Sequence, residues 1–237
     1  EKHHGCLVYS GGDDVLAFVP LDTCLPCARA LHDEFGRLLR EALDKLGLQA
    51  VVTPTLSVGI AVGHCMEALE DMLAFARAAE KDAKQPDRNG LAVHLYPRGG
   101  DALRVRAKWR DKPEESLDGR LMDWAQLHQA NRIPDGFAYD LKDLVRDYDQ
   151  WHDPEVVREA LTKDALRLLS RKGRGPGEEG ISKVKDVLAR EFQEAADAEA
   201  VRASARRVAD EVILARRVAE ALRQATPTKN TVPEGEE

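Results

Sequence analysis

Residues 6–18 read Cys-Leu-Val-Tyr-Ser-Gly-Gly-Asp-Asp-Val-Leu-Ala-Phe, and two apolar runs of strand length flank the Gly-Gly pair. Glycine can adopt positive φ, so Gly11 and Gly12 let the chain double back into a hairpin, whose flanks we expect to be buried. Asp13 and Asp14 then stand at its tip. Asp is a poor strand residue and paired negative charges repel, so the strands themselves do not need these acids. Because carboxylates are preferred Mg²⁺ ligands, the pair predicts a metal site, with a solvated turn as the alternative.

The composition suits a folded protein: 43% of the 237 residues are hydrophobic and the net charge is −7. An acidic chain argues against a free-standing nucleic-acid binder. Residues 1–110 carry a net charge of only −1, so this half has little bias against phosphates. No apolar run approaches the ~18 residues that span a membrane, and no signal-peptide pattern is present, so we expect a cytoplasmic protein without membrane contact. The start at Glu1, without Met and almost on a strand, predicts a fragment.

Four cysteines are present, and two of them form the motif Cys24-Leu25-Pro26-Cys27. One interpretation is a redox pair or half of a zinc site. The other is a pair of small residues in the first turn of a helix. No second ligand pair follows, as a structural zinc site usually requires. An unsupported pair in such a chain fits a reducing compartment.

The first half alternates strands and helices. After the hairpin, the periodicity predicts a helix from residue 22 or 23 to about 45, a strand over 55–62 and a helix over 66–84. Two further strands are predicted over 91–96 and 102–109. The order β-β-α-β-α-β-β indicates an α+β domain over residues 1–110, a mixed sheet with helices on one face.

The pattern changes at Asp111-Lys112-Pro113. From there to residue 224 we predict an all-α C-terminal domain. Its helical segments are expected at 114–130, 138–150, 154–171, 181–195 and 197–223. The Gly-rich stretch 171–180 is predicted to be a loop, and residues 225–237 a disordered tail.

The hairpin, Leu7–Phe18, resembles the Gly-Gly-Asp-Asp hairpin in the large subunit of type III CRISPR effector complexes. Three later segments occur in the same order as in that family: Thr55–Ile60, Ala79–Lys84 and Asp87–Val93. The likeness is closest to the type III-B version and covers the α/β half well. The helical half resembles that family's C-terminal domain only in composition and position.

The resemblance implies a ferredoxin-like nucleotidyl cyclase palm that joins ATP into cyclic oligoadenylates for antiviral defence. It also implies activity within a complex of other subunits, with guide RNA paired to target RNA. Two Mg²⁺ or Mn²⁺ ions would be held by Asp13 and Asp14, the catalytic residues. Ser10, Gly11 and Gly12 would contact the nucleotide, although a strand-end Ser is usually structural. Lys84 matches the lysine that contacts the triphosphate in similar palms; the helix dipole alone could also favour a lysine there.

Related palms supply a further metal ligand from a strand before the hairpin, which here would lie before Glu1. The palm is therefore expected to lack its first strand. The family's second palm and histidine-aspartate nuclease domain are likewise not in this stretch. Two other functions remain open: a stand-alone diguanylate cyclase, which normally has Glu-Phe where this chain has Asp14-Val15, and a non-catalytic assembly module.

Overall fold

The computed structural model describes residues 4–48, 54–112, 115–171, 177–193 and 195–225, with the backbone alone for 177–179. The strands in this part of the chain are β1 (Cys6–Gly11), β2 (Asp14–Phe18), β3 (Val58–Val62), β4 (Gly90–Leu95) and β5 (Leu103–Lys108). The helices are α1 (Cys24–Lys45), α2 (Leu69–Lys84), α3 (Leu117–Gln129), α4 (Phe137–Asp147), α5 (Pro154–Arg171), α6 (Gly177–Gln193) and α7 (Ala198–Ala225).

The predicted element order is confirmed, and most boundaries agree within three residues. One difference concerns the loop predicted over 171–180, because α6 already begins at Gly177. Packing of α6 against its neighbours α5 and α7 outweighs the low helix propensity of its glycines. Ala225 is still helical, and residues 226–237 of the predicted tail lie outside the described residues.

The strands form two separate sheets. Among the described residues, β1 and β2 pair only with each other, as an antiparallel hairpin with a bulge between Leu7 and Tyr9. The second sheet has the order β3-β4-β5, with β3 parallel and β5 antiparallel to β4. The α+β class and the mixed sheet are therefore confirmed.

The helices lie on both faces of the three-stranded sheet, where the sequence predicted one face. On one face α2 packs so closely on β3 that a Cβ at Gly59 would lie 2.2 Å from the backbone nitrogen of Glu80. The opposite face carries the alternate residues Leu91 and Val93, which belong to the same apolar core as α1 and the helical half. The difference arises because the C-terminal helices cover the face that α2 leaves free.

A single apolar core runs from the N-terminal turns of α1 through β4 and β5 into the helical half. Each large apolar side chain that is fully buried contributes about 1.5–3 kcal/mol to folding. Across the helical half, the buried Arg120 of α3 pairs with Glu211 of α7, which is 0% exposed. The core crosses the predicted boundary near residue 110, and the division into two domains stays a prediction.

The expectation that the flanks of the hairpin are buried is wrong. Five large apolar side chains of β1 and β2 are between 45 and 62% exposed: Leu7, Val8, Tyr9, Val15 and Phe18. The reason is that neither strand pairs with the second sheet, so no layer covers the hairpin in the described part of the chain. The outer half of α1 is exposed as well, at Leu31 and Leu38.

None of the described helices is both long enough and apolar enough to cross a membrane.

Candidate active site

The tip of the hairpin is a two-residue loop. Gly11 pairs with Asp14, so Gly12 and Asp13 are the loop residues. Gly12 has φ +61° and Asp13 does not have positive φ, the pattern of a type II′ turn, which takes glycine at its first position. The hairpin forms at the predicted motif, but of the two glycines Gly12 alone has positive φ, and Asp14 already belongs to β2.

Both candidate metal ligands are accessible. Asp13 and Asp14 are exposed, and a Cβ placed on Gly12 would meet no atom within 4 Å. The space next to the turn is therefore open, and both carboxylates are in contact with solvent. Had packing walled off these two carboxylates, a catalytic role would have been untenable.

The strand register divides the predicted nucleotide-binding residues between the two faces of the hairpin. Asp14, Gly11 and Tyr9 share one face, whereas Ser10 lies on the other with its partner Val15. The Tyr9 hydroxyl oxygen lies 2.6 Å from where a Cβ of Gly11 would be. Gly11 thus leaves room for the Tyr9 ring beside Asp14, and the hairpin does not bring Ser10 to the face that carries Asp14.

Lys84, at the C-terminal end of α2, lies within electrostatic reach of the hairpin tip. Its ammonium group forms an ion pair with Glu80 one turn earlier. The hydrogen bond from Lys84 to Glu80 raises the pKa of Lys84, and the negative charge of Asp14 raises it further. The positive charge of Arg88 acts in the opposite direction. The charge of Asp14 therefore acts on Lys84, which lies 70 positions later in the sequence.

The turn after α2 is held in an unusual backbone conformation that sequence reasoning missed. Arg88 and Asn89 have φ of +57° and +48°, in the left-handed region that residues with a Cβ rarely adopt. The side chain of Asn89 hydrogen-bonds to His32 of α1, at 3.0 Å between Asn89 Oδ1 and His32 Nε2. The dipeptide Asn89-Gly90 was the one available signal, since Asn tolerates this conformation better than most residues.

The donor set at the tip fits a hard divalent cation that substrate also coordinates. Within the described ranges no group of three or more His, Cys, Asp or Glu side chains is arranged to hold a metal ion. Asp13 and Asp14 supply two carboxylates, and Mg²⁺ is commonly bound by one or two carboxylates together with substrate phosphates. The tip could therefore hold such an ion with a nucleotide, rather than as a closed protein cage.

The Cys-x-x-Cys motif is part of the helix, as its simpler interpretation predicted. Cys24 begins α1 and is buried, and burial raises its pKa to about 12. Burial also raises the pKa of Cys27. Thiols that stay protonated are poor nucleophiles and poor metal ligands, so the structure favours a packing role. All four cysteines of the chain are free.

A second polar centre lies between α2 and β4. His94 of β4 is buried, with Nε2 2.8 Å from Asp82 Oδ2 and Nδ1 3.2 Å from the Tyr96 hydroxyl. Burial lowers the pKa of His94, although the bond to Asp82 opposes this effect. These contacts satisfy the polar atoms of a buried histidine and join α2 to the sheet.

Comparison with known proteins points to one family. Residues 1–92 match the family model described as Cas10/Cmr2, second palm domain. The chain is also 36% identical over 199 residues to the CRISPR system Cmr subunit Cmr2 of Pyrococcus furiosus. This alignment covers 81% of the chain and 21% of that relative, so the chain spans about a fifth of its length. Both findings confirm the resemblance inferred from the hairpin and the three later segments.

Proposed function

Because residues 1–92 match the second palm domain of Cas10/Cmr2 and the chain is similar to a Cmr2 subunit, we propose that it is part of the large subunit of a type III CRISPR RNA-guided effector complex. Its palm converts ATP to cyclic oligoadenylate when the complex holds guide RNA paired to target RNA, and the product serves antiviral defence. The partners are the other subunits of the complex, the two RNAs and ATP. The free cysteines are in keeping with a cytoplasmic location.

The observation that carries this proposal is a pair of adjacent, exposed carboxylates at an open hairpin tip. Asp13 and Asp14 offer carboxylates to a metal ion, and the negative charge of Asp14 acts on the ammonium group of Lys84, which pairs with Glu80. A nucleoside triphosphate bound with a metal ion needs both kinds of group. Carboxylates bind the metal ion, and a positively charged side chain binds the phosphates. No described atom lies within 4 Å of a Cβ at Gly12, so the space beside the two carboxylates is open to a ligand.

In the proposed reaction the 3′-hydroxyl oxygen of one ATP bonds to the α-phosphorus of another. The bond from that phosphorus to the bridging oxygen breaks, pyrophosphate leaves, and the hydroxyl proton passes to solvent. Two Mg²⁺ or Mn²⁺ ions at the tip would activate the hydroxyl and neutralise the leaving oxygens. Asp13 and Asp14 hold these charges in place, while Lys84 balances the charge of the triphosphate and orients it.

The test is ATP turnover by the assembled complex with radiolabelled ATP, with and without target RNA. Asp13→Asn and Asp14→Asn keep the side-chain shape but remove the charge, and each should lower the rate more than about a hundredfold. Asp101→Asn is a matched control, since Asp101 follows Gly99-Gly100 in another exposed turn, and it should leave the rate unchanged.

Three results would overturn the proposal. Full activity in both Asp→Asn variants would remove these carboxylates from the chemistry. A product made only from GTP, without RNA, would identify a diguanylate cyclase. A complex that assembles normally but neither turns over ATP nor binds Mg²⁺-ATP in calorimetry would identify an assembly module.

A further inference from the structure

The left-handed turn at Arg88-Asn89 joins the Lys84 end of α2 to β4, beside the proposed nucleotide site. Left-handed backbone at two successive residues with a Cβ persists only where surrounding contacts hold it. The Arg88 N–H donates to Lys84 O at 3.0 Å, so the turn and the end of α2 are directly linked. A change in the turn would therefore move the end of α2 that carries Lys84, the residue predicted to contact the triphosphate.

Two of the contacts that hold the turn come from β5 and the residue after it. Arg106 donates to Arg88 O at 3.2 Å, and the backbone N–H of Trp109 donates to Asn89 O at 2.8 Å. The bond from His32 is different, because it reaches the Asn89 side chain from α1, 57 residues away in sequence. His32 is thus the contact through which α1 can set the position of this turn.

His32 is itself held firmly. Its ring stacks on Trp109, with centroids 4.6 Å apart and planes inclined by 27°, and its Nδ1 lies 3.1 Å from Asp33 Oδ1. Arg29, one turn earlier, lies 4.6 Å from the centroid of the Trp109 ring and forms two bonds to Asp118 of α3, at 2.9 and 2.6 Å. The imidazole is therefore fixed on a buried tryptophan that is tied to the helical half.

We propose that His32 is a positioning residue for nucleotide binding. By donating from Nε2 to Asn89 Oδ1, it holds the left-handed turn, and with it the end of α2 that carries Lys84. The role of His32 is to pre-order the Lys84 ammonium group for the triphosphate, without touching the reacting atoms. This inference rests on the proposed function of the palm.

The test compares His32→Leu, which removes the donor, with His32→Gln, whose amide N–H can replace it. In the assembled complex with target RNA, His32→Leu should raise the KM for ATP about fivefold, the effect of one lost hydrogen bond, with kcat changed less than about twofold. His32→Gln should recover most of this loss. His152→Leu, at an exposed histidine between α4 and α5, is the control and should match the wild type.

A second variant tests the same hydrogen bond if His32→Leu folds poorly. Asn89→Gly is unstrained at positive φ and removes only the side-chain bond, so it too should raise KM about fivefold. Combining it with His32→Leu should add little, because both changes remove the same contact. A wild-type KM in Asn89→Gly would overturn the inference, as would a fall in kcat at unchanged KM in a folded His32→Leu. If the wild-type complex makes no product, the proposed function fails, and this role fails with it.

Discussion

The close approach of α2 to β3 at Gly59 gives the sharpest prediction about how the site is positioned. An ideal Cβ on Gly59 would lie 2.2 Å from Glu80 N, 2.4 Å from Ala79 C and 2.5 Å from Glu80 Cα. All three are backbone atoms of the helix, so no side-chain rotation can make room. Gly59→Ala must therefore push the helix away from the sheet.

The size of the effect follows from these distances. Ordinary van der Waals contact begins near 3.4 Å, so α2 has to retreat by about 1.2 Å at its closest point. Overpacking of this kind costs typically 1–3 kcal/mol, and we expect about 3 kcal/mol here because a whole helix moves. Since α2 carries Lys84 at its end, the KM for ATP should rise as well.

Urea unfolding of the chain, followed by circular dichroism, measures the loss. For Gly59→Ala the midpoint should fall by about 1 M. Gly99→Ala is the matched control, since its Cβ would meet no atom within 4 Å, and its midpoint should not change. The midpoint of Gly63→Ala should lie between those of the other two variants. The atom nearest to a Cβ at Gly63, at 2.5 Å, is the Met72 sulfur, which belongs to a flexible side chain that can move. Equal midpoints for Gly59→Ala and Gly99→Ala would refute the packing argument.

Two further predictions concern buried charge. Glu211→Leu should cost about 3–5 kcal/mol in urea unfolding, because it takes from the buried Arg120 a carboxylate bonded at 3.0 and 2.6 Å. The double variant Arg120→Met/Glu211→Leu should regain most of that loss, and a double variant as unstable as the single would contradict the assignment. Burial lowers the pKa of His94 below 6.5, so the unfolded chain binds the proton more readily and stability should fall as pH drops below 6.5. His94→Gln should reduce the slope of unfolding free energy between pH 7 and 5, and parallel curves for the two proteins would exclude this contribution.

Local sequence signals predicted the elements well. The hairpin follows from Gly11-Gly12 between two apolar runs, and α5 was predicted at residues 154–171, the bounds it has in the structure. Both depend on interactions between residues close in the chain, namely turn geometry and helical periodicity. The acid pair was found for the same reason, since Asp13 and Asp14 are adjacent.

The predictions that failed concerned burial rather than local conformation. Alternating apolar residues predicted buried flanks for the hairpin, yet Leu7 is 62% exposed. Alternation shows which residues could face a core, whereas burial depends on whether another layer covers them. Likewise, the sequence of α2 predicts one apolar side of the helix, but it does not show on which face of the sheet that side packs.

The chain's own sequence determined its strands and helices, the family and the acidic tip, because each depends on neighbouring residues or on an ordered set of motifs. Only the tertiary structure decided that the charge of Asp14 acts on Lys84, that His32 bonds to Asn89 and that Arg29 bonds to Asp118. These pairs are separated by 57 to 89 residues, and no local periodicity encodes which distant side chains meet. Which distant side chains meet depends on how the helices and sheets pack. That packing reflects the burial and hydrogen bonding of the whole chain.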